Sequence, residues 1–142
     1  MKQSLYILRL LLIILFSITL FDKILDIGEF KHQLFLSPLI PENYINIISI
    51  FIILIEAITL FFLVTNKLDN LGFLLSSFLL SLFGFYLYFL VAYFSFTKPC
   101  GCGFILSFLN YNQHILLNFL LALLSGIAYY LSQNGKQKNV LA

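Results

Sequence analysis

The sequence predicts an all-α fold, an integral membrane four-helix bundle with an amphipathic loop between its first two helices, and three observations carry that expectation. Hydrophobic residues make up 61% of the 142-residue chain and charged residues only 10%, too little polar surface for a domain of this size to face water. Four apolar segments follow one another, each about as long as the 20 or so residues a helix needs to cross a bilayer. Backbone polar groups in lipid must be satisfied within their own segment, so spans of this length are helices. No internal repeat or low-complexity linker interrupts the chain, and its length fits a single domain over residues 1–142. The net charge of +2 is small and scattered, which argues against a nucleic acid partner and leaves the lipid bilayer as the first one.

The first span is Leu5–Leu25. Lys2 and Arg9 ahead of an apolar run resemble the start of a signal peptide, but the run ends in Phe21-Asp22-Lys23 with no small-x-small cleavage site, so it reads as a retained helix. The stretch that follows, "DIGEFKHQLFLSPLIPEN", brings Phe30, Leu34 and Phe35 round at helical spacing while Glu29, Lys31, His32 and Gln33 point elsewhere. Such a segment lies at the interface with its apolar side down, or is an ordinary connector. Pro38 and Pro41 end it, because neither can continue a helix interior.

The second span is Tyr44–Thr65, the third Leu71–Phe96 and the fourth His114–Leu131. Connections alternate sides. Lys2, Arg9, Lys67, Lys136 and Lys138 fall on the side of both termini, five cations against three (Lys23, Lys31 and Lys98) on the other. That excess predicts cytoplasmic termini. In a bacterium the chain would then be a multi-pass inner-membrane protein with its other face toward the periplasm, where disulfides form and persist.

Both cysteines of the chain sit in one short gap between spans three and four, "KPCGCGF", as Cys100 and Cys102. Two residues apart, their α-carbons can fall within the 4.4–6.8 Å or so that a disulfide tolerates, and the neighbouring glycines permit the backbone angles required. So small a ring closes almost no loop and does little for stability. A strained disulfide is also the more oxidising kind, so the pair reads as a redox element. An inert glycine turn is the plain alternative. A metal site is not expected, since two thiols and the single nearby His114 fall short of the usual ligand set. His114, at the start of span four, can orient or deprotonate a cysteine, the thiolate being the reactive form; it can equally anchor the helix end. Asn118 shares its helical face and suits helix–helix hydrogen bonding.

Ionisable groups within a span are costly and mark function. Glu56, in "FIILIEAITLFF", lies 12 residues into span two, roughly 18 Å deep at 1.5 Å per residue. Arg9 lies as many residues inward from Phe21 on the neighbouring antiparallel helix. Equal depth predicts that Arg9 and Glu56 pair, the alternative being that Arg9 snorkels to the surface. Tyr86 of span three reaches a similar depth, where its hydroxyl can bond a carboxyl group or a quinone carbonyl, or serve as packing.

These residues together resemble the MauE/DoxX-like redox-associated membrane proteins. "KPCGCGFILSFLNYNQHILLNFLLALL" is similar to the family's C-terminal signature of a Pro-Cys-x-Cys turn, then Gln-His, then a Leu or Phe before Asn. "FDKILDIGEFKHQLFLSPLIP" is similar to its stretch after helix one, and Glu56 stands where the family carries a glutamate. One departure is the order Cys-Gly-Cys-Gly-Phe, where relatives commonly show Cys-Gly-Cys-Phe-Gly or Cys-Ser-Cys-Gly-Gly. The resemblance implies a bundle shaped like the vitamin K epoxide reductase type and thiol redox chemistry at the outer face. In that chemistry Cys100 and Cys102 are the redox pair and Glu56, His114 and Asn118 support them. It also implies involvement in maturing a disulfide-rich client, as with the small subunit of methylamine dehydrogenase. Two functions follow as expectations. One is thiol–disulfide exchange with a periplasmic thioredoxin-like or client protein, with a quinone as a candidate electron carrier. The other is a non-enzymatic subunit or assembly factor of a larger membrane complex. A proton path through Arg9 and Glu56 is a weaker third. With only two cysteines, electrons must leave through a partner or a cofactor.

Overall fold

The computed structural model describes residues 2–65, 69–94 and 110–140. Among the described residues five α-helices follow one another: α1 (Lys2–Leu25), α2 (Ile27–Leu36), α3 (Ile45–Val64), α4 (Asp69–Phe94) and α5 (Tyr111–Val140). Among the described residues α1, α3, α4 and α5 are the helices long and apolar enough to cross a membrane, as expected, with ends that differ from the sequence boundaries by a few residues. The largest difference is at the last helix, which begins at Tyr111 and continues to Val140. Hydropathy reports where the lipid stops, whereas a helix continues into water as long as its backbone bonds do.

The segment between spans one and two is itself helical. Asp26 caps α2, its carboxylate accepting from the Glu29 backbone N–H at 3.0 Å, which satisfies one of the donors a helix start leaves unpaired. Ser37, ahead of Pro38, takes extended backbone and stops it. Phe30 and Leu34 turn inward and pack with Ile45 of α3, so α2 lies across one end of the bundle. Phe35, expected on the same side, is half-exposed instead; at one residue from Leu34 it is rotated about 100° away. The end of the bundle carrying α2, where α4 ends and α5 begins, is the loop face, and the opposite end is the terminal face.

The terminal half is closed by an apolar core of Leu12 and Phe16 from α1, Leu63 from α3, Phe73, Leu79 and Leu80 from α4, and Leu121, Ala122 and Ala128 from α5. Lipid offers no hydrophobic drive for helices to associate, so close approach and hydrogen bonding decide which helices pair. The α4–α5 pair has both. Ser77 Oγ donates to the Ala122 carbonyl and Ser125 Oγ donates back to the Phe73 carbonyl, each at 2.8 Å. Gly72 lets α4 meet α3: a Cβ there would fall 2.8 Å from the Leu63 backbone nitrogen. Arg9 completes this end, its guanidinium donating to the carbonyl oxygens of Leu63 and, at 2.8 Å, of Val64. A helix C-terminus presents unpaired carbonyls and partial negative charge, which suits a cation.

Candidate functional site

The loop half is not closed in the same way. Between α1, α3, α4 and α5, under α2, lies a cavity of about 530 Å³, within the range of small-molecule sites. Most of its wall is apolar, with Leu15, Phe16, Ile52, Ile55, Phe83 and Leu87 among the lining residues. Phe51 of α3 and Phe78 and Leu82 of α4 also line it while being at least half-exposed on the bundle's outer surface. The cavity therefore opens sideways between α3 and α4, toward the lipid.

Its polar groups are few and come from every helix around it: Thr19 and Lys23 from α1, Gln33 from α2 and Ser37 just past its end, Glu56 from α3, Tyr86 from α4, and His114 and Asn118 from α5. Glu56 is paired with Lys23, whose ammonium donates to both carboxylate oxygens at 2.7 and 3.0 Å. The two side chains are only 2% and 7% exposed. The Lys23 ammonium also lies 5.5 Å from the Phe30 ring centroid and 5.6 Å from that of Phe83, distances at which a cation is attracted to an aromatic face.

This corrects the expected Arg9–Glu56 pair. Equal α-carbon depth misleads because side chains tilt toward the N-terminus of their own helix. On α1 that tilt carries Arg9 toward the terminal face, away from Glu56, and carries Lys23 inward from the loop face. On α3, which runs the other way, it carries Glu56 toward the loop face, where Lys23 meets it. The expected alternative, that Arg9 reaches the surface, is nearer to what is found, with the α3 carbonyls as its partners. Lys23, counted above with the loop-face cations, is accordingly a buried group.

Tyr86, His114 and Asn118 all reach the cavity wall, so the structure brings three sequence-derived candidates together with Glu56 and leaves Arg9 outside. His114 is buried on the first turns of α5. Cys100 and Cys102 belong to the stretch joining α4 to α5 and lie outside the described residues. Thr19, Lys23, Gln33 and Ser37 are the polar cavity groups that sequence reading did not select. The signal for Lys23 was available in its long side chain and inward tilt at a helix end. For Gln33 no periodicity distinguishes a cavity-lining amide from a solvated one.

No curated protein and no solved structure matches the chain. The family model described as "Methylamine utilisation protein MauE" matches residues 1–131, nearly the whole bundle, and the chain belongs to that family of multi-pass membrane proteins.

Proposed function

We propose that this chain is a membrane component of thiol–disulfide exchange, with Cys100 and Cys102 as its redox pair and electrons passing between that pair and a lipid-soluble carrier in the bundle. The observation that carries the proposal is the cavity beneath the loop face. The helices on either side of the cysteine-bearing stretch bring Tyr86, His114 and Asn118 to its wall, and Lys23 and Glu56 reach it from across the bundle. Family membership supports the same reading.

A partner thiolate attacks one sulfur of the Cys100–Cys102 disulfide, that S–S bond breaks, and a mixed disulfide forms. The partner's second thiolate resolves it. The partner gains a disulfide, and two electrons and two protons end on Cys100 and Cys102. His114 would hold the proton at the attacking or departing sulfur. Orientation supports this assignment: with Lys23 withdrawn into its ion pair, Lys2, Arg9, Lys67, Lys136 and Lys138 face only Lys31 and Lys98. That distribution favours cytoplasmic termini and a periplasmic loop face in a bacterial inner membrane. The partner is a thioredoxin-like protein or a disulfide-bearing client, and the family's description points to methylamine utilisation as the setting in which to look for one.

Thiol trapping in intact cells tests the proposal. Cys102→Ser is expected to accumulate a mixed disulfide through Cys100, and an impermeant maleimide added outside is expected to label the reduced wild-type pair. If Cys100→Ser and Cys102→Ser both leave function and complex formation intact, the chain acts as a non-enzymatic assembly factor. Labelling only after lysis would reverse the orientation.

A further inference from the structure

By its sequence Asn118 suits hydrogen bonding to a neighbouring helix, yet its side-chain amide makes no hydrogen bond among the described residues. It lies six residues past Asn112, the first residue of the last membrane-crossing stretch, or roughly 9 Å along the helix. An unpaired amide in such a place is costly, because lipid supplies neither donor nor acceptor. The side chain turns inward. His114, Leu121 and Ser125 on the same helical face are buried, whereas Leu116, Leu120 and Leu123 on the opposite face are exposed. Asn118 itself is only partly buried, and neither atom of its amide is sealed off by its neighbours. What stays open on an inward-turned side chain opens to the cavity it lines. The cavity therefore offers an unused donor and an unused acceptor side by side.

Other polar groups of the wall are already engaged. Lys23 and Glu56 hold each other, and Thr19 Oγ1 donates to the Phe16 carbonyl at 3.2 Å. The remaining wall is largely carbon, with Phe16, Phe51, Phe78 and Phe83 contributed by α1, α3 and α4. Aromatic faces and edges favour a flat ring between them. The mouth past Phe78 and Leu82 lies near the middle of α4. An opening at that depth meets acyl chains, so it admits uncharged molecules dissolved among them and turns away ionised headgroups.

We propose that Asn118 is the polar anchor of a quinone site in this cavity, its amide bonding a ring oxygen while the tail leaves between α3 and α4. The choice of a quinone rests on the thiol-exchange reading above, which needs an uncharged, membrane-dissolved carrier of two electrons and two protons. An amide serves both states of such a carrier. Nδ2 donates to a carbonyl of the quinone, and Oδ1, with the side chain turned over, accepts from a hydroxyl of the hydroquinone. Asn118 thus holds the two forms alike, one hydrogen bond contributing about fivefold to the affinity of each. Equal contributions cancel, so this contact leaves the potential of the bound couple unshifted.

Binding is tested apart from thiol chemistry in the full-length chain carrying Cys100→Ser and Cys102→Ser, delipidated in detergent micelles. Anaerobic equilibrium dialysis is expected to show decylubiquinone and decylubiquinol both bound. Adding Asn118→Leu is expected to weaken each about fivefold while leaving decylbenzene, a ring and tail without oxygen, bound as before. Leu82→Trp, at the mouth, is expected to weaken all three. Infrared difference spectra are expected to place a carbonyl stretch of bound decylubiquinone below its position in detergent alone, and Asn118→Leu to return it. Failure of both redox forms to bind a protein with native helicity would overturn the proposal. So would a loss confined to one form, an equal loss for decylbenzene, or an unshifted carbonyl band. Equal competition by monoolein, a bilayer lipid with hydroxyls and no ring, would likewise remove the quinone from the site. Failure here would leave thiol trapping unaffected, and failure of thiol trapping would leave this binding unaffected.

Discussion

Removing either member of the Lys23–Glu56 pair is the sharpest perturbation this bundle offers. The ammonium and carboxylate meet at 2.7 Å with almost no solvent access. At an effective dielectric of 20 their attraction is about 6 kcal/mol, against a desolvation cost of several kcal/mol for each ion. The pair is therefore close to neutral as a unit, but each charge is costly alone. Lys23→Met and Glu56→Leu are each expected to destabilise the bundle by about 3–5 kcal/mol, whereas the double variant regains most of that loss. Reversible unfolding in mixed micelles, titrated with sodium dodecyl sulfate and followed by far-UV circular dichroism, measures all three against wild type. The double-mutant cycle should yield a coupling of at least about 2 kcal/mol. Strictly additive losses would refute the pairing and the side-chain-tilt reasoning behind it. As a control, Arg9→Met and Glu56→Leu should simply add, because Arg9 bonds the α3 carbonyls at the other end of the helix.

Four further outcomes are expected in the same unfolding assay. Arg9→Ala removes a charged donor from the carbonyls of Leu63 and Val64 and should cost about 1.5–3 kcal/mol; Arg9→Lys, a point charge without the planar fork, should recover only part of it. Gly72→Ala should cost about 1–3 kcal/mol, because the new methyl would meet the Leu63 backbone, which cannot step aside. Gly126→Ala should be close to neutral: its methyl meets only the Ser77 hydroxyl, at 3.3 Å, and alanine is the better helix former by about 1 kcal/mol. Ser77→Ala and Ser125→Ala each remove one α4–α5 hydrogen bond and should cost about 0.6 kcal/mol apiece, the usual size of such bonds within membranes.

Hydropathy by itself determined the four spans, because lipid leaves a backbone no other way to satisfy its hydrogen bonds. The order of particular residues, the Cys-Gly-Cys block and those that follow it, carried the family, and hydropathy singled out Glu56 as a charge requiring a partner. Phe30 and Leu34 were legible as the inward side of a short helix, since a 3.6-residue period is a property of the chain alone. The partner of Glu56 was not legible. Depth along an axis can be counted from sequence, but which of two cations reaches a carboxylate depends on how the side chains tilt and which faces the helices present to one another. The cavity was hidden for the same reason. Tight packing of α4 on α5 and of Gly72 on Leu63 closes the terminal half, and α2 laid across the other end encloses a space there. That space belongs to no single segment, and only the packed helices place Gln33, Tyr86 and His114 around it.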